Sequence, residues 1–198
     1  MAEINLIAQY DKKSPISEAY RSIRINLQFA GAGKKVKLVG FTSSIPAEGK
    51  STTVSNLAIT MAQDGKHILL IDCDMRKPVQ HKLFGLSNRG LSNCIATEIE
   101  TEAVIQKNIT PNLDVLPSGP IPPNPSELLG SAKMTTILET VAARYDYVFL
   151  DMPPVLAVTD AAVMASKVDG VIVVLSSGDI SPEEAKQTKT QLIQGGAN

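Results

Sequence analysis

The chain has 198 residues, 43% of them hydrophobic and 20% charged, with a formal net charge of −1. That length can bury roughly 70% of the unfolded surface without staples, and the near-neutral balance excludes a global attraction to nucleic acid or anionic lipid. Cys73 and Cys94 lack metal-ligand spacing and read as reduced cytosolic thiols, no apolar run reaches the ~18 residues of a membrane span, and Met1-Ala2-Glu3 opens unlike a secretory leader.

In chain order, Ser14-Pro15 and Ser17-Glu18 carry helix-start signals ahead of Ile16, Ala19, Tyr20, Ile23 and Leu27, an apolar face that predicts a helix over about 15–29. Glu18, Arg21 and Arg24 fall on a neighbouring face. Spacing alone reads them as solvated, with one i,i+3 ion pair. Val36–Phe41 reads as a strand, and Thr53–Ala62 as an amphipathic helix. Between them lies Ser43-Ser44-Ile45-Pro46-Ala47-Glu48-Gly49-Lys50-Ser51-Thr52. A loop in that position presents successive N–H groups and a helix N-terminus to an anion. Lys50 would add charge at the β/γ-phosphates and Ser51 a hydroxyl for Mg²⁺. The pattern G-x-x-x-x-G-K-[ST] asks for Gly at 44, where this chain has Ser44.

Short apolar runs follow at His67–Ile71, Leu113–Leu116, Tyr147–Leu150 and Val171–Leu175, each suited to a strand covered on both faces. Helices are predicted at Ser51–Gln63, Ser131–Arg144, Ala161–Ser166 and Pro182–Gln194, the last opened by a Ser181/Glu184 capping box and stopped by Gly195-Gly196. Pro117–Pro125 is a stiff connection, and His67 and His81 have no metal-spaced partners. Strand alternating with helix predicts a doubly wound, mostly parallel α/β sheet in a single domain over 1–198. The series stops just after a helix, so the sheet is expected to be short of one edge strand, as in a chain shortened at its C-terminus.

Asp72 and Asp74 share one side at the carboxyl end of the second strand, and Asp151 ends another. Ligands bind at such ends in open α/β sheets. Three carboxylates beside one phosphate loop call for a cation, and Mg²⁺ supplies it.

The segments S-S-I-P-A-E-G-K-S-T, I-L-L-I-D-C-D-M-R-K-P and V-F-L-D-M-P-P, with Glu18-Ala19-Tyr20-Arg21-Ser22-Ile23-Arg24 and the proline segment from Ser118 to Leu129, resemble the bacterial tyrosine kinases of capsular and exopolysaccharide synthesis, which are P-loop ATPase relatives. The resemblance implies an ATP site at Ala47, Glu48, Gly49, Lys50, Ser51 and Thr52, with Mg²⁺ held by Ser51, Asp72 and Asp151. It implies catalysis of phosphoryl transfer to tyrosine by Lys50, Asp72 and Asp74. It makes Glu18, Arg21 and Arg24 the contacts of a homo-oligomeric ring, and it implies a cytoplasmic kinase activated by the cytoplasmic tail of a membrane-anchored partner. The family's tyrosine-rich tail, phosphorylated in trans, has no counterpart here, where Tyr10, Tyr20, Tyr145 and Tyr147 are scattered. The alternatives are a Min/Par-type ATPase switch, whose second lysine would stand at Ile45, and a nucleotide-dependent scaffold without transfer activity. Lys50→Met is expected to leave folding nearly intact, and Cys73→Ser to be tolerated.

Overall fold

A computed structural model describes residues 6–30 and 36–197; the Met1-Ala2-Glu3 opening lies outside them. Strands β1 (Leu38–Ser43), β2 (Ile68–Asp72), β3 (Gln106–Thr110), β4 (Leu113–Leu116), β5 (Tyr147–Asp151) and β6 (Gly170–Val174) form one sheet, in the order β3-β4-β2-β5-β1-β6. Every neighbouring pair is parallel except β3–β4. The helices are α1 (Ile7–Tyr10), α2 (Pro15–Ala30), α3 (Lys50–Gln63), α4 (Gln80–Leu83), α5 (Leu91–Ala96), α6 (Pro125–Gly130), α7 (Ala132–Ala142), α8 (Asp160–Ala165) and α9 (Pro182–Gln194).

Strand β2 reads Ile-Leu-Leu-Ile-Asp, and all of it is buried, as a strand covered on both faces requires. Its alternating side chains feed two cores. Ile68 and Leu70 join Phe41, Leu57 and Phe149 under α3, while Leu69 and Ile71 join Leu138, Leu150 and Met164 under α7 and α8. Each large side chain so buried contributes about 1.5–3 kcal/mol.

Helix α3 departs from the amphipathic pattern expected of it. Its residues from Val54 to Ala62 are all buried, because α1 and α2 cover its outer side. The polar groups there find partners: Asn56 Oδ1 accepts the Ala8 N–H at 2.9 Å, and Gln63 Nε2 donates to the Ala8 carbonyl at 2.9 Å. Strand β3 was not expected either. Its sequence, Gln-Lys-Asn-Ile-Thr, is polar and partly exposed, and Asn108 takes a φ of 53° where the ladder to β4 loses register. An edge strand solvated on its open side needs no apolar run.

Helix α9 ends as its sequence predicts. The Ser181 N–H donates to Glu184 Oε2 at 2.9 Å and Ser181 Oγ accepts the Glu184 N–H at 3.2 Å. At the other end Gly196, with φ 90°, lets its own N–H reach Ile193 and that of Ala197 reach Leu192, a Schellman closure.

Candidate active site

The loop between β1 and α3 is held open from three directions. Ser44, where the phosphate-loop pattern asks for glycine, is fully buried, and its Oγ accepts the Thr188 hydroxyl of α9 at 2.7 Å. A glycine there would lose that tie. Glu48 braces the loop from inside, accepting the Ile45 N–H at 2.8 Å and the Ser176 N–H at 2.9 Å. Ala47 and Gly49 both take left-handed backbone angles, φ 70° and 79°. That conformation is strained for alanine.

Gly49 is the N-cap of α3 and offers no side-chain cap, so the first N–H groups of the helix lack intrahelical acceptors. Among the described residues, no amide from Ala47 to Thr52 donates to a protein acceptor. They border a cleft of about 520 Å³ whose lining includes Lys50, Ser51, Thr52, Asp74, Lys77 and Pro154. All six loop residues named from the sequence lie along it.

The strand-end carboxylates meet behind this cleft. Register pairs Asp72 of β2 with Asp151 of β5, Cα to Cα, about 5 Å apart across parallel strands. Lys50 Nζ lies 2.9 Å from Asp151 Oδ1, 3.5 Å from Asp74 Oδ2 and 3.1 Å from Ser51 Oγ. Asp72 and Asp151 are fully buried, whereas Asp74 lines the cleft. The sequence left these acids interchangeable; the fold makes Asp74 the one that reaches the cavity.

Burial, then the charge of Asp151, push the Asp72 carboxyl up to about 8, against the N–H bonds from Gln80 and Val79. Burial likewise raises Asp74, opposed by Lys50. Burial alone would lower Lys50, but attraction to Asp151, Asp74 and Asp72 outweighs it and holds the ammonium above its ordinary value. Negative charge is in excess, and the donors are hard oxygens, so the set fits a divalent cation. Among the described residues no three His, Cys, Asp or Glu side chains form a ready-made cage. An ion there would complete its shell from phosphate oxygens and water, as Mg²⁺ commonly does.

Two features escaped the sequence reading. Gln80, fully buried at the start of α4, bonds to both strand-end acids. Arg76 makes two hydrogen bonds of 3.0 Å each to the buried Asp160 of α8, closing one wall of the cleft. Cys73 sits wholly inside the core. Serine there buries a hydroxyl, so the expected tolerance extends to activity and not to stability.

Glu18, Arg21 and Arg24 lie on α2, away from the cleft. Arg21 pairs with Glu18 at 2.7 Å, the i,i+3 pair that spacing suggested, while Arg24 pairs with Asp64 at the end of α3. Ile16, Ile25 and Phe29 of the same helix are exposed.

A family model described as an AAA domain matches residues 47–194. Over 189 residues the chain is 46% identical to tyrosine-protein kinase YwqD of Bacillus subtilis (strain 168), covering 95% of this chain and 80% of that protein. It superposes on the kinase domain of Escherichia coli tyrosine kinase ETK with a TM-score of 0.95 at 36% identity, covering 100% of this chain and 78% of that one. The chimerical protein CapA2B2 gives a TM-score of 0.93 at 41% identity, covering 98% and 85%. The septum site-determining protein MinD of Pyrococcus horikoshii, at 17% identity and a TM-score of 0.62, shares the fold alone. With a phosphate loop backed by three carboxylates and this similarity along nearly its whole length, the chain belongs to the bacterial tyrosine-kinase family of P-loop ATPases.

Proposed function

We propose that the chain transfers the γ-phosphoryl group of ATP to tyrosine hydroxyls and thereby regulates capsular or exopolysaccharide synthesis. The observation that carries this reading is the division among the acids: Asp74 lines the cleft while Asp72 and Asp151 stand behind it, with Lys50 between. The amides from Ala47 to Thr52 cradle the phosphates, and Lys50 swings from Asp151 to neutralise the β/γ-oxygens. Ser51, Asp72 and Asp151 would hold Mg²⁺, which would offset charge on the transferring group. Asp74 orients the incoming tyrosine hydroxyl and takes its proton. Its raised affinity for protons, from burial, suits a general base.

Helix α2 contacts a second copy through Glu18, Arg21, Arg24 and its exposed apolar residues, building a homo-oligomeric ring that brings one subunit's tyrosines to another's cleft. Among the described residues no helix is long and apolar enough to cross a membrane. Recruitment to the membrane is through a membrane-anchored partner whose cytoplasmic tail activates the kinase. Incubation with γ-labelled ATP and a tyrosine-containing acceptor tests the activity. Label on tyrosine is the expected result, phosphate released only to water would make the chain a switch, and neither would leave a scaffold.

A further inference from the structure

We propose that Gln80 is a positioning residue, clamping Asp72 and Asp151 into one unit that receives the metal-bound nucleotide; this rests on the ATP-site reading above. The two acids are register partners on adjacent strands, both fully buried, and Lys50 is the cation that contacts Asp151. Side by side they repel. Gln80 donates to both: its backbone N–H to Asp72 Oδ2 at 3.0 Å, beside that of Val79 at 3.0 Å, and its Nε2 to Asp151 Oδ2 at 2.7 Å.

The orientation of the Gln80 amide follows from its neighbours. A carboxylate only accepts, so the NH₂ end must face Asp151 and the carbonyl end must face Ser55. Ser55 Oγ lies 2.7 Å from Gln80 Oε1 and also 2.7 Å from the Ser51 carbonyl. Both are acceptors, so the single Ser55 proton is shared between them, and Gln80 Nε2 also reaches the Ser51 carbonyl at 3.3 Å. With Lys50 on Oδ1 and Gln80 on Oδ2, the plane of the Asp151 carboxylate is fixed from both sides. Gln80 is absent from the cleft lining, so it acts through the acids and not on the nucleotide. Groups that orient metal-binding carboxylates are typically worth 10–100-fold in metal affinity.

The experiment is calorimetric titration of ADP into the full chain, once with EDTA and once with excess Mg²⁺, alongside thermal melts. In Gln80→Leu the metal-free ADP affinity should stay within about threefold of wild type, while the tightening produced by Mg²⁺ should fall by about tenfold or more. Ser55→Ala, which frees the amide to turn, should lose less in the same direction, and it serves if Gln80→Leu does not fold. An unchanged Mg²⁺ effect in the folded variants overturns the proposal, as does an equal loss with and without metal, the mark of a merely structural residue. If wild type binds no ADP under either condition, the nucleotide reading falls and takes this inference with it.

Discussion

Lys50 is held by carboxylates on two sides, and that changes what its removal does. Lys50→Met takes away the partner of a fully buried Asp151, and breaking a buried pair typically costs about 3–5 kcal/mol. The variant should therefore melt earlier by calorimetry, contrary to the sequence expectation of near-intact folding. It should also lose charge-assisted phosphate contacts worth about 1.5–3 kcal/mol in ADP binding, and nearly all transfer. The pH dependence follows from Asp72, whose carboxyl moves from an ordinary 3.8 to about 8. Between those values the folded chain keeps a proton that the unfolded chain has released. Its stability contribution is thus complete below pH ~4 and lost as pH rises through ~8. Melting temperature should fall across that window in EDTA, and Asp72→Asn should flatten the slope. Lys50 and Ser51 were legible from the phosphate-loop pattern, and Asp72, Asp74 and Asp151 because each sits at or just past a strand end. Gln80 was not: residues 73–79 return it to the site through a loop with no period, and only the folded path reveals what it faces.

The regular elements were legible for the same kind of reason. Continuous apolar runs gave β1, β2, β4, β5 and β6 to within a few residues, and the capping box gave the start of α9. Ser181→Ala removes the hydroxyl that accepts the Glu184 N–H and should cost about 1 kcal/mol in denaturant unfolding. Because Thr188 of the same helix donates to Ser44, a frayed α9 should also weaken ADP binding, measurable by the same titration. What stayed hidden was short or polar. Strand β3 is a solvated edge, and α4, α5 and α6 span one or two turns each, too short for any helical stripe. The all-round burial of α3 depends on α1 and α2 folding over it, which its own residues cannot announce.

At the scale of the molecule, helix α2 turns Glu18, Arg21, Ile16 and Phe29 outward. Arg21→Ala should dissociate the proposed ring in light scattering, and the dissociated chain should still tighten on ADP when Mg²⁺ is added. Transfer between subunits should fall with the ring.

Helix α3 begins at Lys50 and finishes at Gln63, where the adjoining Asp64 grips Arg24 and Gln28 of α2. A rod of 14 residues is about 21 Å long, and this one is packed on every side. Filling the cleft and seating a neighbouring subunit on α2 would load opposite ends of a single strut, and whatever energy one event lends the other must come back in equal amount.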